Sequence, residues 1–143
     1  MVMAKRILIV EDEYITALDL KTQLILKGFS DFEIVASGEE AIKSALRERF
    51  DLILMDIKLK GDVDGIEAAK TIRKSVNTPI VYLSGNSDLL ASARLKETKP
   101  VGILRKPITA YKLMEIIKTV FGWEIDFRNY FPASQFTIFP HLR

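Results

Sequence analysis

Five short apolar runs, separated by longer amphipathic stretches, repeat along the chain. A short continuous apolar run is typical of a strand that is buried on both faces, as in a parallel sheet lying between helices. The second run alternates its apolar positions with Glu33, which indicates a strand at the margin of the sheet. The predicted strands are residues 5–10, 32–35, 52–56, 80–83 and 101–104.

The stretches between the runs carry helical signals. In the first stretch, apolar residues recur at helical spacing up to Gly28, which suits a left-handed C-terminal cap. These apolar residues are Ile15, Leu18, Leu24 and Ile25. Capping signals start three further helices, at Ser37 with Glu40, at Asp64 with Glu67, and at Thr109. Residues 89–96 form a weaker helical pattern.

Strands and helices thus alternate five times, which predicts an α/β fold with right-handed crossovers. We expect a flavodoxin-like, doubly wound, five-stranded parallel sheet with helices on both faces and the strand order 2-1-3-4-5. This order makes the first and third strands neighbours. Polar residues that directly follow these two strands would therefore lie side by side at the carboxyl edge of the sheet.

Composition narrows the class of protein without naming a partner. A chain of 143 residues with 48% hydrophobic residues can form one domain with a substantial core. It has no cysteine, its net charge is +2, and no apolar run is long enough for a bilayer span or a secretory signal. We therefore expect a cytoplasmic protein that binds neither nucleic acid nor membrane.

Polar residues suited to phosphoryl chemistry follow four of the predicted strands. Glu11 and Asp12 follow the first strand, Asp56 ends the third, Ser84 follows the fourth and Lys106 follows the fifth. Three crowded carboxylates repel one another, and a divalent cation such as Mg²⁺, which prefers oxygen ligands, would relieve that repulsion. A carboxylate could then act as a nucleophile towards phosphorus, with a lysine and a hydroxyl to neutralise the phosphoryl oxygens.

Over residues 5 to about 121 the chain resembles the receiver domains of two-component response regulators, the CheY-like superfamily. The matching segments are ILIVEDE, LILMDIKLKGDVDGIEAA, PIVYLSG and RKP. The resemblance implies that Asp56 is the phosphoacceptor, and that Lys106 and Ser84 contact the phosphoryl group. It also implies that Mg²⁺ or Mn²⁺ is bound by Asp12, Asp56 and the Lys58 backbone carbonyl, with Glu11 acting through water.

The resemblance also identifies positions that tune the response. Lys58 and Asn86 occupy the positions that set the lifetime of the acyl phosphate, and the small Gly85 leaves access to the phosphoryl group. Many receivers have an aromatic switch residue three positions before the lysine, where this chain has Ile103. Tyr82, on the same strand face as Ser84, is a candidate substitute.

The resemblance implies a signalling phosphoacceptor, which promotes its own aspartyl phosphorylation and dephosphorylation, and no separate enzyme activity. Its phosphate would come from the phosphohistidine of a sensor histidine kinase or histidine phosphotransfer protein, since the chain has no ATP-binding G-x-x-x-x-G-K-[ST] loop. The expected output surface is the fourth helix, fifth strand and fifth helix, which could also form a homodimer.

Two alternatives stay open. The first is a receiver-like interaction module that works without phosphorylation, which the aliphatic Ile103 favours. The second is a flavodoxin-like cofactor binder, ranked lowest because the acids after the first strand would repel a flavin phosphate.

We expect residues 1–121 to form the receiver domain and residues 122–143 to form an aromatic-rich C-terminal tail of unknown role. The tail is too apolar for a plain linker, and two prolines interrupt it. It could pack against the domain or a second copy, or begin another module. The only histidine of the chain, His141, lies in this tail and is expected to be exposed.

Overall fold

A computed structural model describes residues 3–85, 92–122 and 136–138 of the chain. Strands and helices alternate along these residues. The strands are β1 (Met3–Val10), β2 (Phe29–Val35), β3 (Leu52–Asp56), β4 (Ile80–Ser84), β5 (Gly102–Arg105) and β6 (Phe136–Ile138). The helices are α1 (Tyr14–Leu26), α2 (Gly38–Arg47), α3 (Gly65–Arg73), α4 (Ser92–Lys96) and α5 (Ala110–Phe121). Within the described ranges, no helix has the length and apolar character needed to cross a membrane.

The six strands form one sheet in the order β2-β1-β3-β4-β5-β6. The first five strands are parallel, which confirms the predicted order 2-1-3-4-5 and the marginal position of β2. The sixth strand was not predicted. It runs antiparallel to β5, with Phe136 opposite Leu104 and Ile138 opposite Gly102, and it covers a backbone edge that would otherwise lack a partner. A strand of three residues is too short to produce a recognisable alternation in the sequence.

The inner strands divide their side chains between two cores, because successive residues of a strand point to opposite faces of the sheet. On β1, Ile7 and Ile9 pack into the core beneath α1 and α5, whereas Leu8 and Val10 pack into the core beneath α2 and α3. All four side chains are fully buried. Two-sided burial is what the continuous apolar runs predicted.

The capping predictions hold in the structure. The side chains of Ser37, Asp64 and Thr109 accept hydrogen bonds from the backbone amides three residues later, at 3.1, 2.8 and 3.2 Å. Gly28 follows α1 with a φ of +98°, a conformation that glycine adopts without a steric penalty. Local sequence therefore sets where these helices begin and end.

The apolar pattern of α1 pointed to the wrong face of the helix. Of its four apolar positions only Leu24 is buried, and the other three are at least one-third exposed: Ile15, Leu18 and Ile25. The residues that join Leu24 in the core are Ala17 and Leu20. Ala17, Leu20 and Leu24 are three and four positions apart, so they share one face of the helix, and this is the face that packs against β1 and β2. Of the predicted helix 89–96, residues 92–96 form α4 and residues 89–91 lie outside the described residues.

Candidate functional site

The strand order brings three carboxylates together at the carboxyl edge of the sheet. β1 and β3 are neighbours, with Val10 opposite Met55, so the residues that follow lie side by side. Glu11, Asp12 and Asp56 each offer an oxygen, and these oxygens all lie within 4.8 Å of one another. Glu11 and Asp56 are buried, at 2% and 3% exposure, and Asp12 is half-buried. The side-by-side arrangement expected from the strand order is therefore present.

Lys106 supplies the positive charge of this cluster. Its Nζ donates to Asp56 Oδ2 at 3.0 Å and lies 3.1 Å from Glu11 Oε2. The backbone of the same residue donates to the Ser84 carbonyl at 2.8 Å, so β4 and the end of β5 are held at the same edge. The Ser84 hydroxyl is buried there and donates to the Gly85 carbonyl at 2.9 Å. Four strand ends thus contribute to one site.

Burial controls the protonation of the two inner carboxylates. Burial and the neighbouring Asp56 raise the pKa of Glu11 from 4.5 to about 7. Burial also raises the pKa of Asp56, although hydrogen bonds with Glu11 and Lys106 oppose that rise. Burial by itself would lower the pKa of Lys106, but the hydrogen bond and the charge of Asp56 raise it overall. Without a further cation, one ammonium must neutralise two buried carboxylates.

The loop between β3 and α3 closes over the cluster. Asp56 Oδ1 accepts a hydrogen bond from the Lys58 amide at 3.3 Å, and Asp12 Oδ2 accepts one from the Lys60 amide at 2.9 Å. A cavity of about 430 Å³ opens beside Asp12 and is lined by Asp12, Glu13, Lys58, Leu59 and Lys60. Solvent and a small ligand can therefore approach Asp12 from this side.

Gly65, the first residue of α3, allows this loop to pack against the site. A Cβ at that position would lie 2.0 Å from the backbone carbonyl oxygen of Asp56, so only glycine fits. The close approach fixes the end of β3 against the start of α3. The position of Asp56 therefore depends on backbone packing as well as on its own side-chain contacts.

The carboxylate cluster fits a divalent cation. Its donors are hard oxygen atoms, which Mg²⁺ prefers. Glu11 Oε2 is buried and has no hydrogen-bond partner of suitable geometry among the described residues. Its charge partner is the single ammonium of Lys106, 3.1 Å away, which also pairs with Asp56, so a second cation would complete the neutralisation of the three acids.

The residues predicted to tune the response are only partly beside the cluster. Ile103 is half-buried in β5 and lies directly opposite Tyr82 of β4. Tyr82 is fully buried, and its hydroxyl lies 2.6 Å from Thr98 Oγ1. Burial raises the pKa of Tyr82 to about 12, so its hydroxyl stays protonated. Asn86 lies outside the described residues.

Several contacts around the site could not be anticipated from sequence. Thr98 Oγ1 donates to the Leu95 carbonyl at 2.6 Å, so Tyr82 is the donor in their shared hydrogen bond and ties β4 to the end of α4. Lys112 and Gln23 bond to backbone carbonyls of the loop that carries Lys106. No sequence signal marks these residues, because their partners are backbone atoms brought close only by the fold.

Comparison with known proteins gives one family. A model of the response regulator receiver domain family matches residues 7–118. The chain is 32% identical over 114 residues to the transcriptional regulatory protein PdtaR of Mycobacterium tuberculosis, which covers 80% of this chain and 55% of the relative. It is 36% identical over 85 residues to the cell cycle transcriptional regulator CtrA of Caulobacter vibrioides, covering 59% and 36%. The chain thus spans about half, or less, of the length of these relatives.

Solved structures give the same result. The receiver domain of sensor histidine kinase PA1611 from Pseudomonas aeruginosa, solved with a magnesium ion coordinated in its active-site cleft, is 30% identical with a TM-score of 0.75. That match covers 84% of this chain and 99% of the solved one. The signal receiver domain of a modulated diguanylate cyclase from Desulfovibrio desulfuricans is 34% identical with a TM-score of 0.76, covering 82% and 94%.

Proposed function

The chain belongs to the response regulator receiver domain family, and from that membership we propose that Asp56 accepts a phosphoryl group in the presence of Mg²⁺ or Mn²⁺. Receiver domains of response regulators interact with histidine kinases. The phosphodonor is therefore the phosphohistidine of a sensor histidine kinase or of a histidine phosphotransfer protein. The observation that carries the proposal is the buried Asp56, held 3.0 Å from the Lys106 ammonium and within 4.8 Å of two further carboxylates.

Each residue of the cluster has a separate role in the proposed reaction. A carboxylate oxygen of Asp56 forms the new O–P bond while the P–N bond to the donor imidazole breaks, so the imidazole leaves as the nucleophile attaches. Lys106 neutralises phosphoryl oxygens from its position between Glu11 and Asp56. The Ser84 hydroxyl turns from the Gly85 carbonyl to donate to another phosphoryl oxygen.

The proposed cation site consists of Asp12, Asp56 and the backbone carbonyl of Lys58, with Glu11 acting through a bound water. When bound, Mg²⁺ would supply positive charge that lets an anionic donor approach an anionic aspartate. Two observations support this assignment: the three carboxylate oxygens within 4.8 Å of one another, and the magnesium ion in the cleft of the PA1611 receiver domain. The hydrogen bond from the Lys60 amide to Asp12 Oδ2 is compatible with this role, because a carboxylate has a second oxygen to offer the cation.

We further propose that phosphorylation alters the surface formed by α4, β5 and α5. Lys58, Gly85 and Asn86 tune access to the phosphoryl group and its lifetime. Tyr82, which lies opposite Ile103, takes the place of the usual aromatic switch residue. A homodimer through this surface has to accommodate β6, because the backbone of β5 is already paired with Phe136–Ile138.

Intact mass measurement after incubation with Mg²⁺ and acetyl phosphate tests the phosphoacceptor proposal. We expect one phosphoryl adduct on the wild-type protein and none on Asp56→Asn. Asp51→Asn is the matched control, because Asp51 precedes the same strand at its other end, where its carboxylate accepts a hydrogen bond from the Arg6 amide at 2.7 Å. This control should keep the adduct. An unmodified wild type, or an adduct that persists in Asp56→Asn, contradicts the proposal.

The aliphatic Ile103 favours one second candidate, a receiver-like interaction module that works without phosphorylation. The two candidates differ in how partner binding or oligomeric state responds to beryllofluoride with Mg²⁺, which mimics a phosphoryl group on the aspartate. A phosphorylation-dependent receiver changes its binding or its oligomeric state, whereas the independent module does not.

A further inference from the structure

The loop between β5 and α5, which carries Lys106, is held by a second lysine. Lys112 Nζ donates to the carbonyl of Arg105 at 3.0 Å and to the carbonyl of Pro107 at 3.1 Å. These carbonyls belong to the residues immediately before and after Lys106. A single ammonium thus bridges the backbone on both sides of the residue whose own ammonium lies between Glu11 and Asp56.

The next carbonyl of the same loop is held from another helix. Gln23 Nε2, on α1, donates to the Ile108 carbonyl at 3.0 Å and to Asp19 Oδ2 at 2.9 Å. Both hydrogens of the amide group are therefore used. Because α1 and α5 cover the same face of the sheet, the loop is anchored to two helices that are themselves fixed by the core.

The position of Lys112 in its helix also calls for an explanation. Lys112 lies in the first turn of α5, where Thr109 is the N-cap. A cation in the first turn of a helix is unfavourable because the helix dipole places positive charge there. Hydrogen bonds to the two carbonyl oxygens of the preceding loop offset this unfavourable interaction with the helix dipole.

We propose that Lys112 is a positioning residue for Lys106 in the phosphoryl transfer to Asp56 proposed above, on which this inference rests. Lys106 reaches the acids on a long, flexible side chain, so the placement of its ammonium depends on the placement of its backbone. Lys112 acts through the backbone carbonyls that flank Lys106 and has no contact with the phosphoryl group. A small displacement of a catalytic group lowers the reaction rate strongly, because the effective concentration of that group at the reacting atoms falls steeply with misalignment.

The test is the rate of phosphorylation by acetyl phosphate with Mg²⁺. We expect Lys112→Met to lower the maximal rate about tenfold, with a smaller effect on the acetyl phosphate concentration that gives half-maximal rate. Lys112→Arg should restore most of the rate, since a guanidinium can also donate to two carbonyls. Lys43→Met removes an exposed lysine from α2, on the other face of the sheet, and should have no effect.

A double-mutant cycle separates positioning from general destabilisation. In a Lys106→Met background, Lys112→Met should cause no further loss of rate, because there is no ammonium left to position. Hydrogen exchange of the unphosphorylated protein gives a readout without chemistry: the Lys106 amide, which donates to the Ser84 carbonyl, should exchange faster in Lys112→Met. Thermal melting shows whether each variant is folded.

The outcomes distinguish this inference from the proposed function. An unphosphorylated wild type overturns the proposed function and the inference with it. A phosphorylated wild type, with Lys112→Met as fast as Lys43→Met or equally impaired in both Lys106 backgrounds, overturns the inference alone. Should Lys112→Met fail to fold, Lys112→Ala provides the same comparison, because alanine favours the helix and has no donor for the carbonyls.

Discussion

The two ends of the parallel sheet carry the same kinds of charged side chain in opposite surroundings. At the carboxyl end, the side chains of Glu11 and Asp56 are 0% and 4% exposed and share Lys106. At the amino end, Arg6 pairs with Asp31 and Glu48, whose side chains are 57% and 37% exposed. In each of these two groups one cation pairs with two carboxylates, and the groups differ in the exposure of those carboxylates.

The difference in exposure reverses the direction of the pKa shifts. Burial raises the pKa of Glu11 to about 7, whereas the hydrogen bond from Arg6 lowers the pKa of Glu48. At the amino end, the hydrogen bond from Arg6 stabilises the charged form of Glu48. At the carboxyl end, burial raises the pKa of Glu11 and of Asp56 and so disfavours their charged forms. The carboxyl end is therefore the end that would gain from the cation proposed above.

The largest effect predicted from this comparison is a fall in stability with rising pH in the absence of Mg²⁺. Between pH 4.5 and about pH 7 the folded protein keeps a proton on Glu11 that the unfolded chain has released. The free energy of unfolding therefore falls as pH rises through this range, by an amount on the order of 3 kcal/mol from Glu11 alone. Asp56, whose pKa is also raised, acts in the same direction. Urea unfolding at about pH 5 and about pH 8, with EDTA, measures the difference.

Two glutamate-to-glutamine variants, one at each end of the sheet, show which end causes the pH dependence. Glu11→Gln should remove most of the difference between the two pH values. Glu48→Gln should leave it intact, because Glu48 has a lowered pKa and its contribution is lost only as pH falls below its ordinary range. Equal pH dependence in the two variants would show that burial does not distinguish the two ends.

Removal of the cation at each end should have the next largest effect. At about pH 8, Lys106→Met leaves two buried carboxylates without a counter-charge, and we expect it to lower the free energy of unfolding by about 2 kcal/mol. Arg6→Met removes ion pairs with exposed carboxylates and a cation–π contact with the Phe50 ring, so its cost should be about 1 kcal/mol. Urea unfolding at constant ionic strength compares the two, and a larger loss for Arg6→Met would contradict the assignment.

The smallest of the three predicted effects is the gain in the free energy of unfolding when magnesium binds at the carboxyl end. At about ten times its dissociation constant, a ligand that binds only the folded state adds about 1.4 kcal/mol to the free energy of unfolding. We expect thermal melts of the wild type to show this gain and melts of Asp12→Asn to lose most of it. The exposed Asp31 of the amino end is the matched control, and Asp31→Asn should respond to magnesium like the wild type. Undiminished stabilisation of Asp12→Asn would remove Asp12 from the proposed cation site.

Much of the candidate site could be predicted from the sequence, because the end of a strand is visible in a few neighbouring residues. An apolar run followed directly by Asp56 or Glu11 indicates both the buried strand and the polar residue at its end. With the strand order, this was enough to expect Glu11, Asp12 and Asp56 side by side. The helix caps at Ser37, Asp64 and Thr109 were equally accessible, because a cap depends on residues within three positions of one another.

Other features depended on contacts between segments that are distant in sequence. The face that α1 buries follows from where the helix lies on the sheet, and the apolar pattern alone misassigned Ile15 and Ile25. The pairing of β6 with β5 depends on an open strand edge that exists only once the sheet has formed.

What the sequence determined by itself is therefore the five parallel strands, the helices that alternate with them and the residue types at the strand ends, because these are properties of neighbouring positions. Only the tertiary structure decided that Lys106 lies between two buried acids and that Lys112 bonds to the backbone around it. The physical reason is that burial, and with it the raised pKa of Glu11, is a property of three-dimensional packing, which brings together groups from β1, β3 and the β5–α5 loop.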